Sequence, residues 1–316
     1  MTARAREVIV SGGDYEHTLS IGGAFAHGLT LRYQPMRVQD IFSAMLETRR
    51  FEVCEFSLAN YLTLRGTGQH WLTAVPVFPS RVFRHGLAVT RKESALTSLA
   101  QLGGLRVGVE DYSMTAAVWF RGILEDEYGV DSGTVQWVTR SKQRFAIPDG
   151  VKIEKTTRDL EELLLAKEID VLLGMNLKDS RLPEHERRLR TVLADPEGEE
   201  RAFYERTSIY PIMHCVVIRN DVLEAQPGIA DAVCQAYATA KEGAYRRQLG
   251  ATLVPWGKSH WARTFELFGG DPLPYGLGPN NRFVIERLAA YLAQQGFIPS
   301  VPDIDGLFAV PKAIRL

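Results

Sequence analysis

Short apolar runs alternate along this chain with segments of helical period, and turn residues punctuate the joins. Glu7 to Val10 reads as a strand ending in the turn Ser11-Gly12-Gly13-Asp14. Leu29 to Gln34 is a second strand, followed by an amphipathic helix through Ile41, Met45 and Leu46. Phe51 to Phe56 is a third strand, and Ser57 stands where it can cap a helix containing Asn60, Tyr61 and Leu62. The run Gly86-Leu87-Ala88-Val89-Thr90 predicts a buried strand. Arg106 to Val109 opens a further unit with a long helix from about Thr115 to Tyr128, and a helix over Thr157 to Ala166 leads into a strand at Ile169 to Leu173. From Asp221 onward the pattern is mainly helical, with candidates at Gly228 to Leu249, Trp261 to Phe268 and Asn281 to Gln295. Repeated strand–helix alternation of this kind predicts an α/β fold.

Two stretches suggest the topology. "RHGLAVTR" (84–91) and "MHCVVIRN" (213–220) share a form: a histidine, a small residue, then an apolar strand carrying an arginine at its end. Strands so spaced would connect two lobes twice. The expectation is a discontinuous first lobe, 1–90 with 213–316, and a second lobe, 91–212, with His85 and His214 at the base of a cleft. A chain of 316 residues is long enough for two such lobes.

Charge and composition narrow the function. Lys and Arg total 37 against 38 Asp and Glu, so no global field favours nucleic acid or an anionic membrane. No run approaches the roughly 20 apolar residues of a membrane span. Met1 to Arg6 lacks the apolar core of a secretory signal, from which a cytoplasmic location is expected. Cys54, Cys215 and Cys234 are odd in number and far apart, which suits reduced thiols. They form no CxxC pair, and no HExxH helix occurs, so a protein metal site is not expected. The scattered Gly-Gly pairs lack dinucleotide spacing, and GxxxxGK[ST] is absent.

The stretches "GDYEHT" (13–18), "EFSLANYL" (55–62), "PVFPSRVFRH" (76–85), "RVGVEDYSMTAAVWFRGILEDEYGV" (106–130), "YPIMHCVVIR" (210–219) and "PYGL" (274–277) resemble the 4,5-dihydroxyphthalate decarboxylase family. The likeness runs in order from about residue 8 to residue 310. "TRSKQRF" (139–145) and "GLGPNN" (276–281) depart from the family pattern. The resemblance implies a two-lobed fold of the type II periplasmic binding protein kind. It also implies a cofactor-independent carboxy-lyase acting on a hydroxylated aromatic dicarboxylate, with protocatechuate as product. Self-association is compatible with the sequence.

Each candidate residue carries a second, plainer reading. Arg81 and Arg84 would grip substrate carboxylates bidentately, or else form surface ion pairs. Arg121, two turns into the long helix, reads better as a salt bridge. His85 and His214 are candidate proton donors, or core histidines. Asp14 could accept a phenolic proton and Tyr15 could stack on an aromatic ring, unless they are a turn residue and a packed tyrosine. Ser57 is a helix cap that could also touch ligand. Tyr112, Ser113, Met114 and Thr115 lie at a helix start, where N–H groups favour anions, although Asp111 or Ser113 could cap the helix instead. His17 follows the first turn, while His27, His70, His185 and His260 read as structural or exposed. Two rival functions share the scaffold: a non-catalytic cytosolic sensor of aromatic carboxylates, and a chorismate dehydratase-like lyase.

Overall fold

The structure, a computed structural model, describes residues 6–25, 28–140, 142–174, 177–250 and 254–310; His27 lies outside them. Along the chain come β1 (Arg6–Gly12), β2 (Gly22–Phe25), β3 (Leu29–Pro35), helix α1 (Val38–Thr48), β4 (Val53–Ser57), α2 (Leu58–Gly66) and β5 (Leu72–Arg81). Next are β6 (Ala88–Arg91), β7 (Arg106–Val109), α3 (Thr115–Tyr128), β8 (Gln136–Arg140), β9 (Ile153–Thr156), α4 (Leu160–Leu165), β10 (Val171–Leu173), β11 (Leu189–Thr191) and α5 (Pro196–Thr207). The chain continues through β12 (Ile212–Arg219), α6 (Asn220–Ala225), α7 (Ile229–Leu249), α8 (Gly257–Phe268) and α9 (Pro279–Gln294). These strands form two sheets, ordered β2-β3-β1-β4-β12-β5 and β11-β6-β10-β7-β8-β9.

Contacts divide the chain into two units at Arg81/Val82 and Pro211/Ile212, and the segment Arg287–Val301 belongs to the second unit. The expected boundary near residue 90 therefore falls earlier. Its cause is β6, which pairs with β10 and β11 rather than with the first sheet. The later segment joins the second unit through α3: the Tyr291 ring meets Trp119 edge-on at 5.5 Å, and Gln295 binds Arg121. The two histidine-bearing strands are not equivalent either. His214 is inside β12 of the first sheet, whereas His85 begins a 3₁₀ turn, His85–Leu87, ahead of β6.

In the first unit β1 runs parallel to β3 and β4, and β12 runs antiparallel between β4 and β5. Helix α7 covers this sheet with Ile229, Ala232, Val233, Ala236, Tyr237 and Ala240, a helical stripe packed on Val8, Val10, Val75 and Val216. The strand β5 was not anticipated, because Pro76 and Pro79 interrupt its pattern. Both prolines are tolerated because β5 is an edge strand with a bulge. Val216 faces Val75, yet His214, two residues away, faces Ser80. The proline-bearing residues 76–79 loop out between these partners.

In the second unit, four of the strands have parallel neighbours: β10-β7-β8-β9. Helix α3 buries Ala117, Val118, Trp119, Phe120, Ile123 and Leu124. Asp159 caps α4 as a side-chain acceptor for Glu161 and Glu162 N–H, and Asp195 caps α5 ahead of Pro196. No helix of the described residues is long and apolar enough to cross a membrane.

Candidate active site

The carboxyl ends of β1 and β4 meet the start of antiparallel β12 at one edge of the first sheet. Open α/β sheets commonly take ligands at this edge. The register explains which side chains meet. Glu55 faces Val216 and Ser57 faces His214, so Glu55 and His214 are diagonal neighbours on one face.

Glu55 is fully buried, and it collects three donors. Its Oε2 accepts the Gly13 N–H at 2.7 Å. Its Oε1 accepts the Tyr15 hydroxyl at 2.9 Å and meets His214 Nδ1 at 2.5 Å. A buried carboxylate needs such partners, because an unpaired charge in the interior is costly. Since Glu55 receives Nδ1–H, the other nitrogen of His214, Nε2, is the one left for proton exchange. The His214 side chain is 17% exposed and packs edge-on against Phe42, with ring centroids 5.0 Å apart.

The turn after β1 supplies the rest. Tyr33 donates its hydroxyl to Gly13 O at 2.7 Å. A side chain at Gly12 would strike the Tyr33 hydroxyl, and one at Gly13 would strike the Tyr15 ring, so these glycines let the turn close over Glu55. Tyr15 stacks on His17 with ring centroids 5.3 Å apart and planes 2° from parallel. His17 Nε2 is 2.8 Å from Pro79 O, a carbonyl presented by the β5 bulge. Burial pushes the Tyr15 phenol above its ordinary range, reinforced by Glu55, and burial pushes the His17 imidazole down. Asp14 is exposed on the same turn.

The predicted residues separate into two groups. Asp14, Tyr15, Ser57 and His214 gather at this edge, and Ser57 caps α2 by accepting the Asn60 N–H at 3.4 Å. Glu55, which organises them, was not among the candidates. Its signal was present: an acid inside the apolar run of "FEVCEFS" must be paired when that strand is buried.

Arg81 and Arg84 fall in different units. Arg81 ends β5, is 5% exposed, and donates through Nη2 to Pro274 O at 3.1 Å and Asn281 Oδ1 at 2.5 Å. Asn281 in turn donates to Pro274 O and Gly276 O, so Arg81 fastens the 274–276 turn to the sheet. Arg84 belongs to the second unit, where burial lowers its guanidinium to about 10 and the Glu200 charge opposes that fall. His85 is 1% exposed and packs on Phe203 at 4.9 Å. Burial, helped by the Arg206 charge, lowers its imidazole to about 4. At neutral pH it has no imidazolium proton to give.

The start of α3 lies in the second unit. Met114, not Asp111 or Ser113, is the N-cap, and it makes no side-chain cap hydrogen bond. Asp111 instead accepts from Ser113 N and Oγ at 2.9 and 2.7 Å and pairs with Arg144 at 3.1 Å. Tyr112 donates its N–H to Gln143 at 2.7 Å, and Ser113 and Thr115 are buried there. Among the described residues, Arg121 does not form the expected salt bridge. It binds Gln295 and the Tyr112 carbonyl and lies 3.7 Å over the Tyr112 ring. Among the described residues, no group of three or more His, Cys, Asp or Glu is placed to hold a metal ion.

Comparison with known proteins defines the class first. The fold is similar to the periplasmic aliphatic sulphonate binding protein SsuA from Escherichia coli, with a TM-score of 0.57 and 10% identity over 97% of this chain and 92% of that one. It is also similar to the alkanesulfonate-binding protein SsuA from Xanthomonas axonopodis pv. citri, with a TM-score of 0.58 and 11% identity over 98% and 100% of the two chains. The fold is thus that of the type II periplasmic binding proteins. No family model matches the chain. In sequence it is 33% identical over 266 residues to the 4,5-dihydroxyphthalate decarboxylase of Comamonas testosteroni, spanning 80% of each chain. It is 30% identical over 180 residues to the 4,5-dihydroxyphthalate decarboxylase of Pseudomonas putida, spanning 54% of this chain and 69% of that one. The chain belongs to the 4,5-dihydroxyphthalate decarboxylase family, a family of carboxy-lyases.

Proposed function

We propose that this chain converts 4,5-dihydroxyphthalate to protocatechuate, with His214 as the acid that protonates the ring. The observation that carries the reading is the Glu55–His214 contact at 2.5 Å. It fixes the imidazole by Nδ1 and leaves Nε2 to deliver a proton, the arrangement general acid catalysis needs.

The chemistry explains why the substrate must bear hydroxyls. Direct loss of carbon dioxide from an aryl carboxylate leaves an electron pair in the ring plane, where the π system cannot delocalise it. A hydroxyl para to the carboxylate offers another route. As its proton departs to a base, density moves to the ipso carbon, which takes the His214 proton. The C–C bond then breaks, its electron pair restores the aromatic ring, and carbon dioxide leaves. One proton is consumed for each carbon dioxide released, and the phenolic proton is returned at the end. Asp14, exposed beside Gly13, is the base suggested by sequence alone.

The test compares 4,5-dihydroxyphthalate with unsubstituted phthalate, following carbon dioxide release. Phthalate should inhibit competitively and show no turnover. Equal release from both substrates would exclude the hydroxyl-assisted route. Release from neither would exclude the decarboxylase reading.

A further inference from the structure

The proposed reaction needs two proton-transferring groups of opposite habit: an acid at the ring carbon and a base at the phenol. His214 is held as the acid, with Nδ1–H on the Glu55 carboxylate. His17, at the same edge, is held the other way round. Its Nε2 is 2.8 Å from Pro79 O. A carbonyl oxygen only accepts, so Nε2 carries the proton and, in the neutral ring, Nδ1 keeps its lone pair.

Two independent contacts fix that lone pair in direction. One is the Pro79 hydrogen bond, and the other is the parallel stack on Tyr15, 5.3 Å between centroids. Tyr15 also gives its hydroxyl to Glu55 Oε1, the oxygen that His214 reaches. One side chain therefore ties both histidines into a single array. The charges acting on His17 are Glu55, Glu16 and Lys241; burial, the largest influence, favours the neutral ring, Lys241 adds to it, and Pro79 O and the two glutamates oppose it. A purely structural role accounts for Nε2 and for the stacked ring. It leaves Nδ1, whose lone pair these contacts orient, without a hydrogen-bond partner among the described residues.

We propose that His17 is the general base of the reaction, its Nδ1 taking the proton of the ring hydroxyl para to the departing carboxylate. The inference rests on the decarboxylase reading above. The phenolic O–H bond breaks as Nδ1–H forms, and the oxygen electron pair moves into the ring. His214 Nε2–H breaks as the ipso C–H forms. After carbon dioxide leaves, the His17 imidazolium returns its proton to the phenolate, and His214 regains one from solvent. Asp14 is the weaker candidate, since it is exposed on the turn, whereas His17 is held in place by Pro79 O and the Tyr15 ring.

Two variants separate the base from the scaffold. His17→Gln keeps an N–H that can reach Pro79 O, and His17→Phe keeps the ring on Tyr15. Both should lose about 10²- to 10⁴-fold in kcat at pH 7. Activity should recover as the pH is raised toward the phenol's own ionisation, whereas the loss in His214→Gln should not. Wild-type kcat in both His17 variants, a loss that pH does not relieve, or alkaline recovery in Asp14→Asn instead would overturn the assignment. If the wild type itself releases no carbon dioxide, the decarboxylase reading has failed rather than this one.

Discussion

Glu55 and His214 stand diagonally across β4 and β12, one pleat apart, with Oε1 and Nδ1 separated by 2.5 Å. The carboxylate is fully buried and the imidazole is 17% exposed, so the pair has a closed end and an open end. Such a pairing holds one tautomer and one ring orientation.

Glu55→Gln tests that coupling. An amide cannot accept from Gly13, Tyr15 and His214 together without turning its NH₂ toward one of these donors. We expect kcat to fall about 10²- to 10³-fold with a smaller change in KM, because the proton matters chiefly in the transition state. Steady-state kinetics beside a thermal melt would check it. A large rise in KM with kcat intact would show that Glu55 shapes the binding surface instead.

His85 makes a separate prediction about stability. Its folded value is about 4, against an ordinary imidazole value near 6.5. Between these values the unfolded chain binds the extra proton, so stability rises with pH through the window. The contribution is fully present above about pH 6.5 and is lost as the pH falls toward 4, amounting to roughly 3 kcal/mol. His85→Phe should flatten that part of the stability profile relative to the wild type while leaving the His214-dependent reaction in place. Denaturant melts at pH 4.5 and 7 on both proteins would decide it, and parallel profiles would refute the assignment.

Gly13 is a steric prediction. A methyl there would fall on the ring of Tyr15, whose hydroxyl donates to Glu55. Gly13→Ala should therefore cost at least about tenfold in kcat/KM, since a lost hydrogen bond to a charged group is worth about 1.5–3 kcal/mol. Gly243→Ala is the control, because inside α7 its Cβ would meet only the flexible end of Arg247 at 3.4 Å. That change should be neutral in activity and mildly stabilising, by about 0.5–1 kcal/mol. Activity retained in Gly13→Ala would mean that the turn can shift without cost.

Much of the architecture was legible because it is local. The strands at residues 7–10, 29–34, 51–56 and 106–109, and the helices beginning near 115, 228 and 281, follow from period and capping signals in adjacent residues. Ser57 at the start of α2 and the turn Gly12-Gly13 at the end of β1 were readable for the same reason. The strand β5 was not, because its prolines argue against a strand unless the chain occupies a sheet edge. That position is a property of the whole sheet.

The candidate site divides on the same line. Sequence alone offered the residue types, namely histidines, arginines, an aspartate and a tyrosine near strand ends, and the family resemblance offered a chemistry for them. Which ones meet depended on register between strands about 160 residues apart, as with Glu55 and His214. Only the tertiary structure could separate His214, paired with a carboxylate, from His85, sealed among apolar rings with its imidazole driven down to about 4. It also gave Arg81 neighbours that no local pattern announces, the Pro274 carbonyl and the Asn281 side chain. A side chain's chemistry is written in the sequence, but its protonation and its partners are set by burial and by neighbours that the fold brings in from elsewhere in the chain.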